Sequence, residues 1–152
     1  VDHIVRVFNA YIDRYNYLPV MDLAVAPEQK PFVATNQYSL AQAYAQPECV
    51  PLALYAENKP VGFAMYCLDE EDHQYWVYRL MIDQRYQGVG YGREAMLLLI
   101  ERIRSLSDED HDRIYISFEP GNEIAKSLYE SLGFVPDGRV LYGEVVYVLN
   151  LS

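Results

Sequence analysis

The sequence predicts an α/β fold in which a mixed, mostly antiparallel sheet of about seven strands lies between helices, in three layers. Two observations predict this class. Short apolar segments rich in β-branched and aromatic residues recur along the chain, as is typical of strands. Segments with apolar residues at helical spacing separate them, and the longest follows a glycine-rich stretch at residues 88–92. The 152 residues have the length of one domain.

The N-terminal half predicts four strands and two helices. In the first helix apolar residues recur at helical spacing, but Pro19 leaves the start of that helix open, because proline is tolerated only in a first turn. The polar segment 57–59 predicts a hairpin between two of the strands. In chain order the predicted elements are a strand at Ile4 to Phe8, a helix from about Ile12 to Val25, a helix at Tyr38 to Ala45 ended by Pro47, and strands at Val50 to Ala56, Pro60 to Leu68 and Tyr75 to Ile82.

The C-terminal half predicts two helices and three strands. Asn122 is a good N-cap for the second helix, which ends at Leu132, and Gly133 suits a left-handed C-terminal cap. The elements are a helix at Tyr91 to Leu106, a strand at Arg113 to Phe118, the helix at 122–132, and two strands within Arg139 to Leu151. The apolar face of the long helix is predicted to consist of Met96, Leu97, Ile100 and Ile103.

The charge of the chain excludes one class of partner. A net charge of -10, with dense acidic runs at 69–72 and 108–110, argues against binding to nucleic acid, which requires a basic surface. An acidic surface attracts cationic substrates, although it serves solubility equally well. No apolar run is long enough to cross a membrane, and the N-terminus lacks signal-peptide features. We therefore expect a cytoplasmic protein without a membrane partner.

The potential metal ligands are scattered through the sequence. Cys49 and Cys67 are 18 residues apart and do not form a C-x-x-C motif. His3, His73 and His111 stand in polar contexts far from one another, as surface histidines do. The sequence therefore predicts no metal site.

The strongest chemical signal is the stretch RYQGVGYGR at residues 85–93, between a predicted strand and a predicted helix. Its glycines permit positive φ angles, and the helix N-terminus adds a positive dipole end, so the turn suits a pyrophosphate. It is not a dinucleotide fingerprint, because Arg93 stands where G-x-G-x-x-G requires glycine, and no Lys follows as in a P-loop. A tight turn without a ligand is the alternative.

Two motifs resemble those of the GNAT acetyltransferases. The spacing Q-x-x-G-x-G at residues 87–92 is similar to the family's Gln/Arg-x-x-Gly-x-Gly/Ala signature. The pattern N-x-x-A-x-x-x-Y-x-x-x-G-F at residues 122–134 resembles its motif B, and the resemblance covers nearly the whole chain. It implies a GNAT fold with a sheet splayed in the middle, and acetyl-CoA as co-substrate. Dimerisation is common in that superfamily, so a homodimer is compatible with the sequence.

The resemblance also implies roles for particular residues. The pyrophosphate of coenzyme A would lie on the glycine-rich turn, and the pantetheine arm would lie between the strands that end at Ile82 and Phe118. Tyr129 would act as the general acid for the leaving thiolate; packing into the core is the alternative for its ring. The residues expected to bind the cofactor are Met81, Ile82, Gln87, Gly88, Val89, Gly90, Tyr91, Gly92, Arg93, Asn122 and Lys126.

Segments 61–66, 82–88 and 143–145 are similar to the bacterial spermine/spermidine acetyltransferases, which implies a small cationic amine as substrate. An aminoglycoside, a protein N-terminus, or a non-catalytic acetyl-CoA-binding module are the alternatives. In polyamine acetyltransferases an acidic base commonly stands at the position that Tyr78 occupies here. The proton acceptor therefore stays open between Glu119 and a chain of water molecules.

Overall fold

The computed structural model describes residues 7–152 as seven strands, four α-helices and two short 3-10 helices. The strands are β1 Val7–Tyr11, β2 Cys49–Ala56, β3 Lys59–Leu68, β4 Tyr75–Ile82, β5 Arg113–Phe118, β6 Val135–Leu141 and β7 Glu144–Asn150. The α-helices are α1 Tyr17–Met21, α2 Asn36–Ala45, α3 Tyr91–Leu106 and α4 Glu123–Ser131. The 3-10 helices are Pro27–Phe32 and Gln84–Tyr86.

The strands form one sheet in the order β1-β2-β3-β4-β5-β7-β6. Neighbouring strands are antiparallel except β4 and β5, which run parallel. The predicted mixed, mostly antiparallel sheet is therefore confirmed, and β2, β3 and β4 form an antiparallel meander within it. Glu57 and Asn58 both have positive φ angles, as a two-residue hairpin turn requires.

The sheet opens between its two parallel strands. Only three residue pairs join β4 to β5, and the last of them is Val77 with Ile116. Beyond it, residues 78–82 and 117–118 diverge, and we call the gap between these segments the fork. Tyr78 is an extra residue in β4 relative to β3, because Val77 pairs with Tyr66 and Arg79 pairs with Met65. Such a bulge bends a strand, which accounts for the divergence at this point.

Helices cover both faces of the sheet and divide the core in two. On one face, which we call the α3–α4 face, the larger cluster contains Met96, Leu99 and Ile103 of α3 together with Tyr129 of α4. On the opposite α1–α2 face, a smaller cluster packs around Phe63 under α1 and α2. Alternating residues of each strand supply these clusters, which produces the three layers that the sequence predicts.

The predicted N-terminal elements need correction. Residues 4–6 of the first predicted strand lie outside the described residues, and the described strand continues to Tyr11. The predicted helix at 12–25 is wrong in length, since α1 spans only Tyr17–Met21. Asp13 and Asn16 exchange hydrogen bonds between side chains and amides, and this turn replaces the first helical residues.

One predicted core position of the long helix is also wrong. Leu97 is 44% exposed, whereas Ala95, Leu99 and the other three predicted residues are buried. Each residue of an α-helix is rotated by about 100° from the preceding one, so the buried face is centred near Ile103, and Leu97 is rotated by about 120° from that centre. The bounds of α3, β4 and β5 agree with the prediction at both ends.

Candidate active site

The loop between β4 and α3 has the backbone geometry that a phosphate-binding turn needs. Gly88 and Gly90 have φ angles of 83° and 92°, and Gly90 is the N-cap of the 16-residue α3. A Cβ atom at Gly88 would meet no other atom within 4 Å, so its surroundings are open. Tyr91, Gly92 and Arg93 form the first turn of α3, where amides point towards the N-terminal end and carry the positive end of the dipole.

Gln87 fixes this loop to the rest of the protein through its side chain. Its amide Nε2 donates to the backbone oxygen of Ile82 at 2.8 Å and to Oε1 of Gln29 at 2.9 Å. The Gln87 side chain therefore positions the loop.

Asp83 is a second anchor, and the sequence analysis did not identify it. This residue is 3% exposed, and its carboxylate accepts hydrogen bonds from the amide of Ala24 and from both the amide and Nε of Arg85. Burial alone would raise the pKa of Asp83, but these donors and the positive charge of Arg85 lower it below its usual range. A buried carboxylate at the end of β4 thus clamps the glycine-rich loop; its position directly after an apolar strand was the available signal.

The backbone at the end of β4 faces the fork, at the place where the resemblance to the GNAT family predicts the pantetheine arm. Met81 and Ile82 pair with Phe63 and Gly62 of β3, but no residue of β5 pairs with them among those the structure describes. Their side chains are buried on opposite faces of the sheet. What this segment presents to the fork is therefore the main chain of one strand edge, which is able to hydrogen-bond an extended ligand.

Tyr129 lies beside the other arm of the fork. Its ring packs against Phe118, the last residue of β5, at 5.5 Å, and against Phe134 at 5.9 Å. The residue is 7% exposed, and burial raises the pKa of its phenol above the ordinary value. Tyr129 therefore stays protonated at neutral pH and keeps a hydrogen atom to donate.

The remaining predicted cofactor residues lie before or in the first turn of α3 and at the start or in the body of α4. The side chain of Asn122 caps α4 by accepting from the amide of Ala125 at 3.3 Å. Arg93 donates to Oγ of Ser131 at 2.7 Å and so links α3 to α4. Lys126 is half-buried and lines a cleft between α4 and the β6–β7 hairpin. Val89 is 51% exposed at the tip of the loop.

Tyr78, which occupies the usual position of the base, and Glu119, one of the two candidate proton acceptors, differ in their surroundings. Tyr78 donates from its hydroxyl to Oδ2 of Asp69 at 2.5 Å. Burial and this hydrogen bond raise the pKa of Tyr78. Glu119 is exposed in the turn between β5 and α4, where its backbone oxygen accepts from the amide of Asn122. Tyr78 therefore supplies no carboxylate, and Glu119 is an exposed residue of the turn that follows β5.

Glu48, Cys49 and Cys67 form one cluster of potential metal ligands in the part of the chain that the structure describes, and their ligand atoms lie within 4.8 Å of one another. Burial raises the pKa of Cys67 to about 12, and it also raises the pKa of Cys49. Both cysteines are therefore thiols at neutral pH, whereas a metal binds the thiolate form. Within residues 7–152, no helix has the length and apolar character needed to cross a membrane.

The geometry fits coenzyme A in two respects. The glycine-rich loop joins positive φ angles to the N-terminus of a long helix, as a pyrophosphate requires. The fork offers an unpaired strand edge next to this loop for an extended arm. Residues 8–134 match the family model described as the acetyltransferase (GNAT) family. The chain belongs to the GNAT family, and it is an acetyltransferase.

Two curated bacterial relatives resemble the chain over most of their length. This chain is 34% identical to the spermine/spermidine N(1)-acetyltransferase of Bacillus subtilis strain 168 over 143 aligned residues. The alignment covers 90% of this chain and 93% of that protein. The chain is 33% identical, with the same coverage, to the probable spermine N(1)-acetyltransferase of Bacillus subtilis subsp. natto.

Solved structures confirm the fold. The ribosomal-protein-S5-alanine acetyltransferase of Vibrio fischeri superposes with a TM-score of 0.74 at 17% identity, over 99% of this chain and 96% of that one. The ribosomal-protein-S18-alanine N-acetyltransferase of Escherichia coli superposes with a TM-score of 0.72 at 18% identity, over 96% and 94%. At this identity the likeness shows a shared architecture, including the predicted GNAT fold, and says nothing about the substrate.

Proposed function

We propose that this acetyltransferase transfers the acetyl group of acetyl-CoA to a primary amine of a polyamine such as spermidine or spermine. The fork between β4 and β5 supports the use of acetyl-CoA, because it places an open strand edge beside a phosphate-binding turn. The similarity to two spermine-type acetyltransferases over 90% of the chain supports a polyamine as acceptor. The net charge of -10 favours a substrate with several positive charges.

The residues of this chain would hold the co-substrate in three segments. The amides of 88–92 would bind the pyrophosphate, and the backbone of Met81 and Ile82 would bind the pantetheine arm and polarise the carbonyl. Arg93 and Lys126 would add positive charge near the phosphates, with Asn122 close by at the start of α4. When bound, acetyl-CoA supplies an activated thioester.

Tyr129 would act on the sulfur side of the reaction. Because burial raises the pKa of Tyr129, its phenol is protonated at neutral pH, and its hydroxyl would be available to hydrogen-bond the developing thiolate and to supply a proton as charge builds up on sulfur. The packing of Tyr129 against Phe118 places its ring next to the arm of the fork where that charge would form.

An amine panel tests this proposal. Purified protein is assayed with acetyl-CoA and, separately, with spermidine, spermine, an aminoglycoside and a peptide with a free N-terminus, and release of coenzyme A is measured with a thiol reagent. We expect the highest kcat/KM with the polyamines. A higher kcat/KM with the aminoglycoside or the peptide would contradict the polyamine assignment. A separate thermal-shift measurement with acetyl-CoA shows whether the protein binds the co-substrate.

A further inference from the structure

Two hydroxyl groups stand at the point where the fork opens. The last residue of β4 that pairs with β5 is Val77, so the first side chains beyond it are those of Tyr78 and, on β5, Ser117. Each hydroxyl donates to a carboxylate: Tyr78 to Asp69 at 2.5 Å, and Ser117 to Oε1 of Glu144 at 2.7 Å. Each arm of the fork therefore begins with a hydroxyl–carboxylate pair.

Both pairs lie on the α1–α2 face of the sheet. Tyr78 packs against the cluster under α1 and α2. Ser117 stands between Ile116 and Phe118, whose side chains belong to the opposite core, so strand alternation directs Ser117 to the α1–α2 face. On the α3–α4 face, that core and the buried Tyr129 close the fork. An amine would therefore approach the fork from the α1–α2 face.

The two carboxylates are engaged to different degrees. Asp69 accepts from Tyr78 and from the amides of Glu71 and Asp72. Burial would raise the pKa of Asp69, but these donors hold it below its usual range, which makes this carboxylate a weak base. Among the described residues, the carboxylate of Glu144 has one hydrogen bond, from Ser117, and it is half-buried.

We infer that Glu144 is the carboxylate that binds the acceptor ammonium at the fork and takes its proton before the nitrogen attacks. The inference rests on the proposed function and deepens it, since it names the residue that the departure at Tyr78 left unassigned. Ser117 would orient Glu144 through Oε1, which leaves the second oxygen for the substrate. The guanidinium of Arg79 is within electrostatic range of Glu144, but its hydrogen bonds go to the backbone oxygen of Tyr78 and to Oε1 of Gln42, so it does not engage this carboxylate directly.

The proton balance of this step is complete. The substrate nitrogen enters as an ammonium and gives one proton to Glu144, which frees its lone pair to form the new C–N bond. The C–S bond breaks with its electron pair on sulfur, which takes a proton from the Tyr129 hydroxyl. The second proton lost by the nitrogen returns to Tyr129 and restores that hydroxyl. Glu144 then returns its proton to solvent, so each turnover releases one proton.

A pair of matched amines tests the role of Glu144. The substitution Glu144→Gln keeps the shape and a carbonyl oxygen that accepts from Ser117, but it removes the basic group. We expect kcat/KM for spermidine to fall roughly 100-fold, in the range of a lost general base. For a spermidine analogue with two fluorines beside the acceptor amine, which is largely uncharged at neutral pH, the loss should be less than about 10-fold, because no proton needs removal before attack.

The control is Glu109→Gln, which removes the same charge at an exposed position of the loop before β5 and should leave both rates unchanged. Thermal unfolding shows whether each variant is folded, and Glu144→Asp provides a second variant that retains a base. Equal losses with the two amines, or no loss with either, would overturn the inference. If the wild-type protein acetylates another amine of the panel and no polyamine, the proposed substrate is wrong. The role of Glu144 as the base is then tested separately, by the same comparison of that amine with its fluorinated analogue.

Discussion

Two side chains near the fork are almost inaccessible to solvent, yet their pKa values move in opposite directions. Burial raises the pKa of Tyr129, because a buried site favours the neutral phenol over the charged phenolate. Asp83 is buried too, but three hydrogen bonds from Ala24 and Arg85 stabilise its charged form and lower its pKa. At the scale of single residues, the first environment preserves a proton donor, and the second preserves a charged anchor for the loop.

The substitution Tyr129→Phe should lower kcat roughly 100-fold, because it removes the proposed proton donor and keeps the aromatic packing against Phe118 and Phe134. Affinity for acetyl-CoA should change little, since no cofactor contact other than that of the hydroxyl is lost. Steady-state kinetics and a thermal-shift titration with acetyl-CoA measure the two effects. Unchanged turnover would remove Tyr129 from the mechanism.

The substitution Asp83→Ala should destabilise the protein by about 3 kcal/mol, because it removes charge-assisted hydrogen bonds at a site excluded from water. The lowered pKa gives this contribution a defined pH dependence. It is fully present above pH about 4, the ordinary pKa of an aspartate, and it is lost as pH falls through the lower pKa of the folded state.

Urea unfolding of the wild type and of Asp83→Ala measures the difference between their free energies of unfolding. The measurements run from pH ~2 to pH ~7, a range that brackets the ordinary pKa of a carboxyl group. The gap between the two free energies of unfolding should narrow at the acidic end. A gap that stays constant across that range would show that the carboxylate charge of Asp83 is not what holds the loop.

At the scale of elements, the sequence predicts best where local and tertiary preferences agree. The bounds of α3 agree because its apolar spacing, the glycine before it and its length all favour the same helix. The segment before α1 fails because a side-chain turn between Asp13 and Asn16 competes with the helix, and its apolar spacing does not show that competition.

Site residues divide in the same way. The glycine-rich loop and Tyr129 stand in motifs with fixed spacing, so their proposed roles are predictions that the sequence alone makes. The anchor Asp83 and the proposed base Glu144 have hydrogen-bond partners that are distant in sequence: Ala24 is 59 residues from Asp83, and Ser117 is 27 residues from Glu144. Hydrogen bonds between distant segments depend on the tertiary fold, so a single sequence does not reveal them.

The glycine-rich loop gives a prediction for an element. The substitution Gly90→Val should abolish binding of acetyl-CoA, because a β-branched residue disfavours a φ of 92° and its side chain blocks approach to the backbone. The matched control is Asn58→Val, which introduces comparable strain at a φ of 64° in the exposed β2–β3 hairpin. Both should lose about 1 to 2 kcal/mol of stability, but the control should still bind acetyl-CoA in a titration. Normal binding by the Gly90 variant would place the phosphates elsewhere.

At the scale of the whole molecule, the net charge of -10 gives the protein a field that attracts polycations. Salt screens such fields over about 8 Å at physiological ionic strength. We therefore expect kcat/KM for spermine to fall several-fold between low and high salt, and to fall less for a monoamine of similar reactivity. Kinetics at graded salt concentrations measure both. Equal salt dependence for the two amines would mean that the acidic surface serves solubility alone.

The parallel pairing of β4 and β5 ends after three residue pairs, and the proposed chemistry depends on that opening being filled by the pantetheine arm. A crystal structure of the protein with acetyl-CoA is the most direct measurement. It should show the pyrophosphate on the amides of residues 88–92, the arm hydrogen-bonded to the backbone of Met81 and Ile82, and the sulfur within reach of the Tyr129 hydroxyl. A structure in which the pantetheine arm lies outside the fork, or in which the sulfur lies far from the Tyr129 hydroxyl, would contradict the proposed chemistry.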